Sequence, residues 1–123
     1  MLEAYSLNAE VGAAAAIPFN NVSIKKGCTA ELSGVSSIQL NKCGVYMVSF
    51  DGVAEASTTV QLQKDSVAQP QAQSTGTSVS FVTLVQVDKN NNSCCCTSPV
   101  TLRIMNETAT TFTNCNVVVT KVC

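Results

Sequence analysis

Seven cysteines and no histidine bound the chemistry open to this 123-residue chain. Without histidine the commonest general base, triad partner and metal ligand are missing, so cysteine–histidine nucleophilic catalysis is excluded outright. Asp51 and Glu55 come nearest to the paired carboxylates that glycoside hydrolysis requires. Nothing around them suggests a cleft, and a solvated strand edge accounts for both. Gly34, Gly44, Gly52 and Gly76 stand singly as turn residues, so no glycine-rich phosphate loop is present. The triplet Cys94-Cys95-Cys96 is the one unusual chemical feature. Zinc needs four converging ligands, usually from spaced cysteine pairs, and no second pair has that spacing. Three copies of this loop on a symmetry axis would bring thiols together for a disulfide or metal link between subunits. An ordinary reduced loop is the simpler alternative. No catalytic residue, resident metal or cofactor is expected, and the chain is expected not to be an enzyme. Asn21-Val22-Ser23, Asn91-Asn92-Ser93 and Asn106-Glu107-Thr108 match the glycosylation pattern, as chance provides in a chain this rich in Asn, Ser and Thr.

The composition narrows the partners. Seven basic and eight acidic residues give a net charge of −1, and the lysines are scattered, so no phosphate-binding stripe forms. Nucleic acid is not an expected ligand. The apolar run Ala13 to Ile17 is too short to cross a membrane and follows Glu3 and Glu10, not a cationic leader region. Neither a signal peptide nor a membrane partner is expected, and the chain reads as complete from Met1. An odd cysteine count without an export signal favours reduced thiols, some serving as small core residues. The sharper alternative is oxidation of exposed thiols once the protein leaves the cytosol. Charged residues make up only 12% of the chain, about half the usual share, while 46% is hydrophobic. A surface so poor in charge is expected to be buried in part against partners.

The elements that must position any site are strands. Val45 to Phe50 follows Cys43-Gly44, and Thr59-Val60-Gln61-Leu62-Gln63 alternates with Val60 and Leu62 on one face. Lys64-Asp65-Ser66 makes a turn into Val67 to Gln73, which Pro70 consigns to an edge or an irregular strand. Ser78 to Val87 carries Val79, Phe81, Thr83, Val85 and Val87 on one face. Val82 and Leu84 lie on the other, which suggests burial on both sides. Val100, Leu102 and Ile104 point inward from Pro99 to Met105, and Val117 to Val122 closes the chain. Ile17 to Ile24 and Ser36 to Leu40 add two or three short strands. Eight to ten strands with short polar turns and no helical period predict one all-β sandwich or barrel over residues 13–123. Residues 1–12 read as a short N-terminal arm.

Gly44-Val45-Tyr46-Met47-Val48-Ser49-Phe50 resembles the central strand of C1q/TNF-like jelly rolls. Val60-Gln61-Leu62-Gln63-Lys64-Asp65 resembles that family's hairpin, with Ser66 where glycine is usual. Ser78 to Val87, Pro99 to Met105 and Asn116 to Val122 follow in the family's order, so the resemblance spans residues 13–123. Ile17-Pro18-Phe19-Asn20-Asn21-Val22-Ser23 and the Val117 to Cys123 ending further resemble small jelly-roll proteins of bacteriophages that infect Gram-positive gut bacteria, which act as head-decoration or head-fibre components. No Gly-x-y stalk is present, which fits a domain seated directly on a capsid. The resemblance implies an antiparallel jelly-roll sandwich forming a homotrimer, with Tyr46, Val48, Phe50, Val82 and Leu84 as interface candidates. For each of these the sandwich core is the alternative place. It further implies a non-enzymatic virion protein, made in the host bacterial cytoplasm and carried on the capsid surface. Its partner would be the major capsid protein or another virion component, met by Leu2, Tyr5 and Leu7 of the arm. The alternative is a receptor- or glycan-binding head of a phage fibre or a spore surface. A metal-dependent cupin would need histidine ligands that are not there.

Overall fold

The computed structural model describes residues 1–27, 30–87 and 95–122, with residues 95–99 described by backbone alone. Nine strands run in chain order: β1 (Leu2–Val11), β2 (Ala15–Ala16), β3 (Asn21–Lys25), β4 (Ala30–Ser33), β5 (Ser37–Lys42), β6 (Gly44–Lys64), β7 (Val67–Val87), β8 (Cys95–Asn106) and β9 (Thr110–Lys121). All pairings are antiparallel, and no helix occurs among the described residues.

Two long strands divide this ribbon into layers. Tyr46 to Ala54 of β6 pairs with β9, whereas Val60 to Lys64 pairs with β8. β7 follows β6 through both stretches, Ser78 to Val87 beside the first and Val67 to Gly76 beside the second. The first layer therefore runs β3-β1-β9-β6-β7 and the second β7-β6-β8-β5-β4, with β2 capping β8 at Met105 and Asn106. This is an antiparallel jelly-roll sandwich, the class the strand pattern anticipates.

The core follows from period-two alternation. Tyr46, Val48, Phe50, Phe81, Val117 and Val119 face inward from the first layer, and Val60, Leu62, Leu102, Ile104, Ile38 and Leu40 from the second. Phe50 sits at the centre, stacked on Phe81 at 5.6 Å and edge-on to Phe19 at 6.3 Å. Aromatic pairs at such spacings gain about 0.5–1.5 kcal/mol beyond their buried area. Tyr46 keeps its hydroxyl satisfied by donating to the Lys42 carbonyl at 2.7 Å.

Four expectations need correction. Residues 2–11 are no loose arm: β1 is an interior strand, paired with β9 along its length and with β3 at its start. Alternation there is clear only once Leu2, Ala4 and Ser6 are seen to be inward. Ser78 to Val87 is covered on one side only, because no third layer faces Val82 and Leu84. Gly52 is not a turn residue but lies within β6, opposite Cys115 and Val79. Tyr46, Val48 and Phe50 are wholly enclosed by the two layers and offer a neighbouring subunit no surface. The Asp65-Ser66 turn, by contrast, is where the sequence puts it. Both residues have positive φ, 49° and 68°, in a two-residue hairpin whose twist suits the flanking strands. Val67 to Gly76 pairs only with β6, and the register slips opposite Pro70, as an edge proline demands.

Gly52 has a packing reason. A Cβ there would lie 3.1 Å from Phe50 Cζ and 3.3 Å from Phe112 Cδ1, both in fully buried rings. Gly52→Ala is expected to lower stability by about 1–3 kcal/mol through overpacking, read from the midpoint of urea unfolding at unchanged slope.

Candidate functional site

The crossing of β6 positions the two outward faces of this molecule. Between Ala54 and Thr58 the strand leaves one layer for the other, and its backbone loses ladder partners. Thr110 replaces one of them, its hydroxyl accepting from Ala56 N at 3.0 Å. Glu107 N donates to the Thr59 carbonyl at 2.9 Å. Asn106, fully buried, donates from Nδ2 to the carbonyls of Thr108 at 2.8 Å and of Val11 and Gly12 at 3.3 Å. Its Oδ1 accepts from the Thr58 hydroxyl, which in turn accepts from Thr108 N at 3.1 Å. Asn106-Glu107-Thr108 is thus a structural knot, and its asparagine is closed to glycan attachment in the fold.

A second tie fixes Ile17 to Asn20 across the core. The buried Ser6 hydroxyl donates to the Pro18 carbonyl at 2.8 Å and accepts from Asn20 N at 2.9 Å. This seats Ile17 and Phe19 in the core. No buried side-chain nitrogen or oxygen among the described residues lacks a partner.

The outward face of the first layer is largely apolar near β7. Cross-strand registers set Met47 between Leu84 and Thr120, and Ser49 between Val82 and Val118. Val82 is 66% exposed and Leu84 60%. Further along, Val53 neighbours Asn114, which also pairs with Leu7, itself 61% exposed. Tyr5 lies half-buried on the same face, opposite Asn116 and Asn21. Of the interface candidates, Val82 and Leu84 therefore share a face with Tyr5 and Leu7 of the supposed arm, whereas Leu2 is core. Asp51 and Glu3 are charged positions on this face, and Glu3 Oε1 accepts from Ser23 Oγ at 2.7 Å. Asp51 and Glu55 are both exposed, on either side of the register shift in β6.

The second layer's outward face is different in kind. Thr59, Gln61 and Gln63 of β6 line up beside Met105 and Arg103 of β8, all half-buried. Arg103 Nε donates to Ser37 Oγ at 3.0 Å, and Thr59 and Thr75 share a hydroxyl–hydroxyl bond of 2.8 Å. A groove of about 260 Å³ runs between Ala14, Thr59, Gln61, Gln63, Met105, Asn106 and Glu107. A wider, shallower hollow of about 510 Å³ lies at the end of β1, lined by Glu10 to Gly12 and Ala109 to Thr111.

The thiols divide. Cys94 lies outside the described residues, as do the side chains of Cys95 and Cys96, so the triplet's chemistry does too. Cys43 is disulfide-bonded, so the expectation of reduced thiols does not hold for it. Cys115 is free and buried, its Sγ 3.9 Å from the Ser6 carbonyl, and burial pushes the thiol up to about 11. Among the described residues no cluster of three or more metal-ligating side chains occurs.

The fold defines the class. Neither a family model nor a curated protein matches the sequence. The globular domain of zebrafish complement 1qA protein aligns with a TM-score of 0.75 at 10% identity, over 99% of this chain and 96% of that one. Murine APRIL aligns at 0.68 and 7% identity, over 98% of each chain. PRD1 vertex protein P5 aligns at 0.67 and 12% identity, over 99% of this chain and 96% of that one. The chain has the jelly-roll fold of these C1q and TNF-family domains, the fold that the resemblance around Tyr46 implies.

Asn106→Leu keeps the volume but removes the Asn106 amide from the Val11 and Gly12 carbonyls and leaves the Thr58 hydroxyl only its longer bond, 3.3 Å, to the Thr108 carbonyl. It is expected to cost about 2–4 kcal/mol in thermal or urea unfolding, since each stranded buried group costs roughly 1–3 kcal/mol and relaxation recovers part. Cys115 should resist alkylation at pH 8 in the folded protein and label fully in denaturant, as peptide mass mapping will read. Because folding favours its protonated form, the stability this contributes is intact below about pH 9 and declines as pH rises towards 11.

Proposed function

We propose that this chain is a non-catalytic structural unit that assembles as a homotrimer through the outward face of its first layer and decorates or stabilises a bacteriophage capsid. The observation that carries the reading is the uncovered apolar patch of Leu84 beside Met47 and of Val82, with Val118 beyond Ser49, next to an edge of β7 that has no partner among the described residues. Exposed apolar patches bounded by polar residues mark interaction sites. A second copy is the occupant that suits this one: the patch is nearly free of charge, so like copies approach without repulsion. Head-to-tail contacts between such faces close into a ring when the rotation allows, and a trimer is the ring in view. The capsid role is supported by the structural likeness to a phage vertex protein and by the sequence resemblance to phage head proteins. On this reading the protein is made in the host bacterial cytoplasm and resides on the virion surface. A clamp that binds the assembled shell and not its free subunits stabilises the shell by mass action.

Light scattering with and without reductant tests the assembly. The expected mass is three times the 12.9 kDa chain in both conditions. Val82→Asp combined with Leu84→Asp is expected to yield folded monomer, because both side chains are already solvent-exposed in the single chain. A wild-type monomer would overturn the trimer, and a trimer lost on reduction would transfer the role from apolar packing to thiols. Co-sedimentation with assembled shells, and not with dispersed shell protein, is the expected outcome for the capsid part of the reading.

A further inference from the structure

The groove between β6 and β8 lies on the opposite layer from the apolar face, so it stays open whether or not copies assemble. Its polar lining has an unusual property. Gln61 and Gln63 are half-buried, yet neither amide has a hydrogen-bond partner among the described residues. Each amide presents two N–H donors and one carbonyl acceptor. Two residues apart on one strand face, they stand about 7 Å from each other. Glu107 adds an exposed carboxylate at one end, and Met105 with the Ala14 methyl adds apolar surface.

We propose that this groove binds one unit of a neutral saccharide, held by the Gln61 and Gln63 amides over Met105. The chemistry of the lining selects that class. A sugar hydroxyl both donates and accepts, as an amide does, and paired hydroxyls can meet donor and acceptor on one glutamine. The hydroxyls on one side can donate to Glu107, while the ring's C–H face rests on the adaptable thioether of Met105. Glu107 repels phosphate and acidic sugars, and the nearby Arg103, opposite Gln63, lies outside the lining with its Nε donating to Ser37 Oγ. The volume, about 260 Å³, lies just under the roughly 300 Å³ at which pockets for larger ligands begin, which suits a single ring.

The site is also held in place before any ligand arrives. Thr59 is tied through its carbonyl to Glu107 N and through its hydroxyl to Thr75. Asn106 anchors the end of β8 to β1 and to the turn before β9. A lining carried on paired strands loses little freedom on binding, which favours even a small ligand.

The test is two-dimensional ¹⁵N NMR of the full chain, titrated with free neutral hexoses and N-acetylhexosamines, and with sialic acid and inorganic phosphate as the charged probes. At least one neutral sugar is expected to shift the Gln61 and Gln63 side-chain amides, the Met105 methyl and the Glu107 amide in a saturable way. Gln61→Ala combined with Gln63→Ala should weaken that binding at least tenfold, with the thermal midpoint unchanged within a few degrees. Glu107→Gln should leave neutral-sugar binding within a few-fold of wild type. No saturable shift at the groove from any neutral sugar would overturn the proposal. So would preference for phosphate or sialic acid, or undiminished binding by the double glutamine variant.

Discussion

When β6 passes from one layer to the other, its backbone must give up ladder hydrogen bonds between Ala54 and Thr58, and everything at that end of the sandwich depends on how the loss is made good. Asn106 answers it from β8. A single carboxamide links the end of β1, the turn before β9 and the Thr58 hydroxyl. A hydrogen bond of this kind adds only about 1 kcal/mol net, but leaving its buried partners unpaired costs more than making the bond gains. The knot therefore acts chiefly by excluding other arrangements. It fixes where β6 changes layer, and with that the register by which Val60 and Leu62 turn inward while Thr59 and Gln61 turn out.

Two unlike faces follow from that one crossing. Because β6 and β7 serve both layers, the same pair of strands shows Met47, Val82 and Leu84 on one side of the molecule and Thr59, Gln61 and Gln63 on the other. Neither face could be changed independently by slipping a strand, since a one-residue shift would exchange core and surface along its length. The sandwich thus gives a single chain one largely apolar outward face, proposed above to meet its own copies, and one lined by amides and hydroxyls. The absence of charge, read from composition, acts differently on the two. On the apolar face it removes repulsion between copies; on the polar face it leaves amides and hydroxyls as the recognition groups.

The architecture was legible because period-two alternation is strong where burial is one-sided. Val60 and Leu62 against Gln61 and Gln63 could be assigned to opposite faces from the chain alone, and the Asp65-Ser66 turn by its residue types. Five things were not legible. Leu2 and Tyr5 looked like an arm because a terminal strand's partners lie some 115 residues away, at Val119 and Asn116. Val82 and Leu84 looked buried because an apolar residue on a strand's second face carries no mark of whether a layer covers it. Tyr46, Val48 and Phe50 looked equally fit for core or interface for the same reason. Asn106 was hidden in a motif that reads as a modification signal, because its partners Thr58 and Val11 are distant in sequence and no spacing rule joins them. The groove shared that fate: its outward glutamines were visible, but not that Met105 and Glu107 would stand beside them.

The buried polar residues explain why so uncharged a sequence can still specify one structure. Ser6, Thr58 and Asn106 are all neutral, and together with backbone groups they settle where Ile17 to Asn20, the end of β1 and the turn before β9 must lie. An ion pair buried in their place would have to recover several kcal/mol of desolvation per ion before adding anything. A neutral amide or hydroxyl carries a far smaller penalty and still admits only one set of partners. The same choice leaves only the Tyr46 hydroxyl and the Cys115 thiol as titratable groups in the described core, and burial defers the thiol's change in protonation to about pH 11. On the capsid role proposed above, the protein meets changing ionic conditions outside the cell. A fold pinned by neutral hydrogen bonds, whose inner contacts salt scarcely screens, is the physical arrangement that such exposure favours.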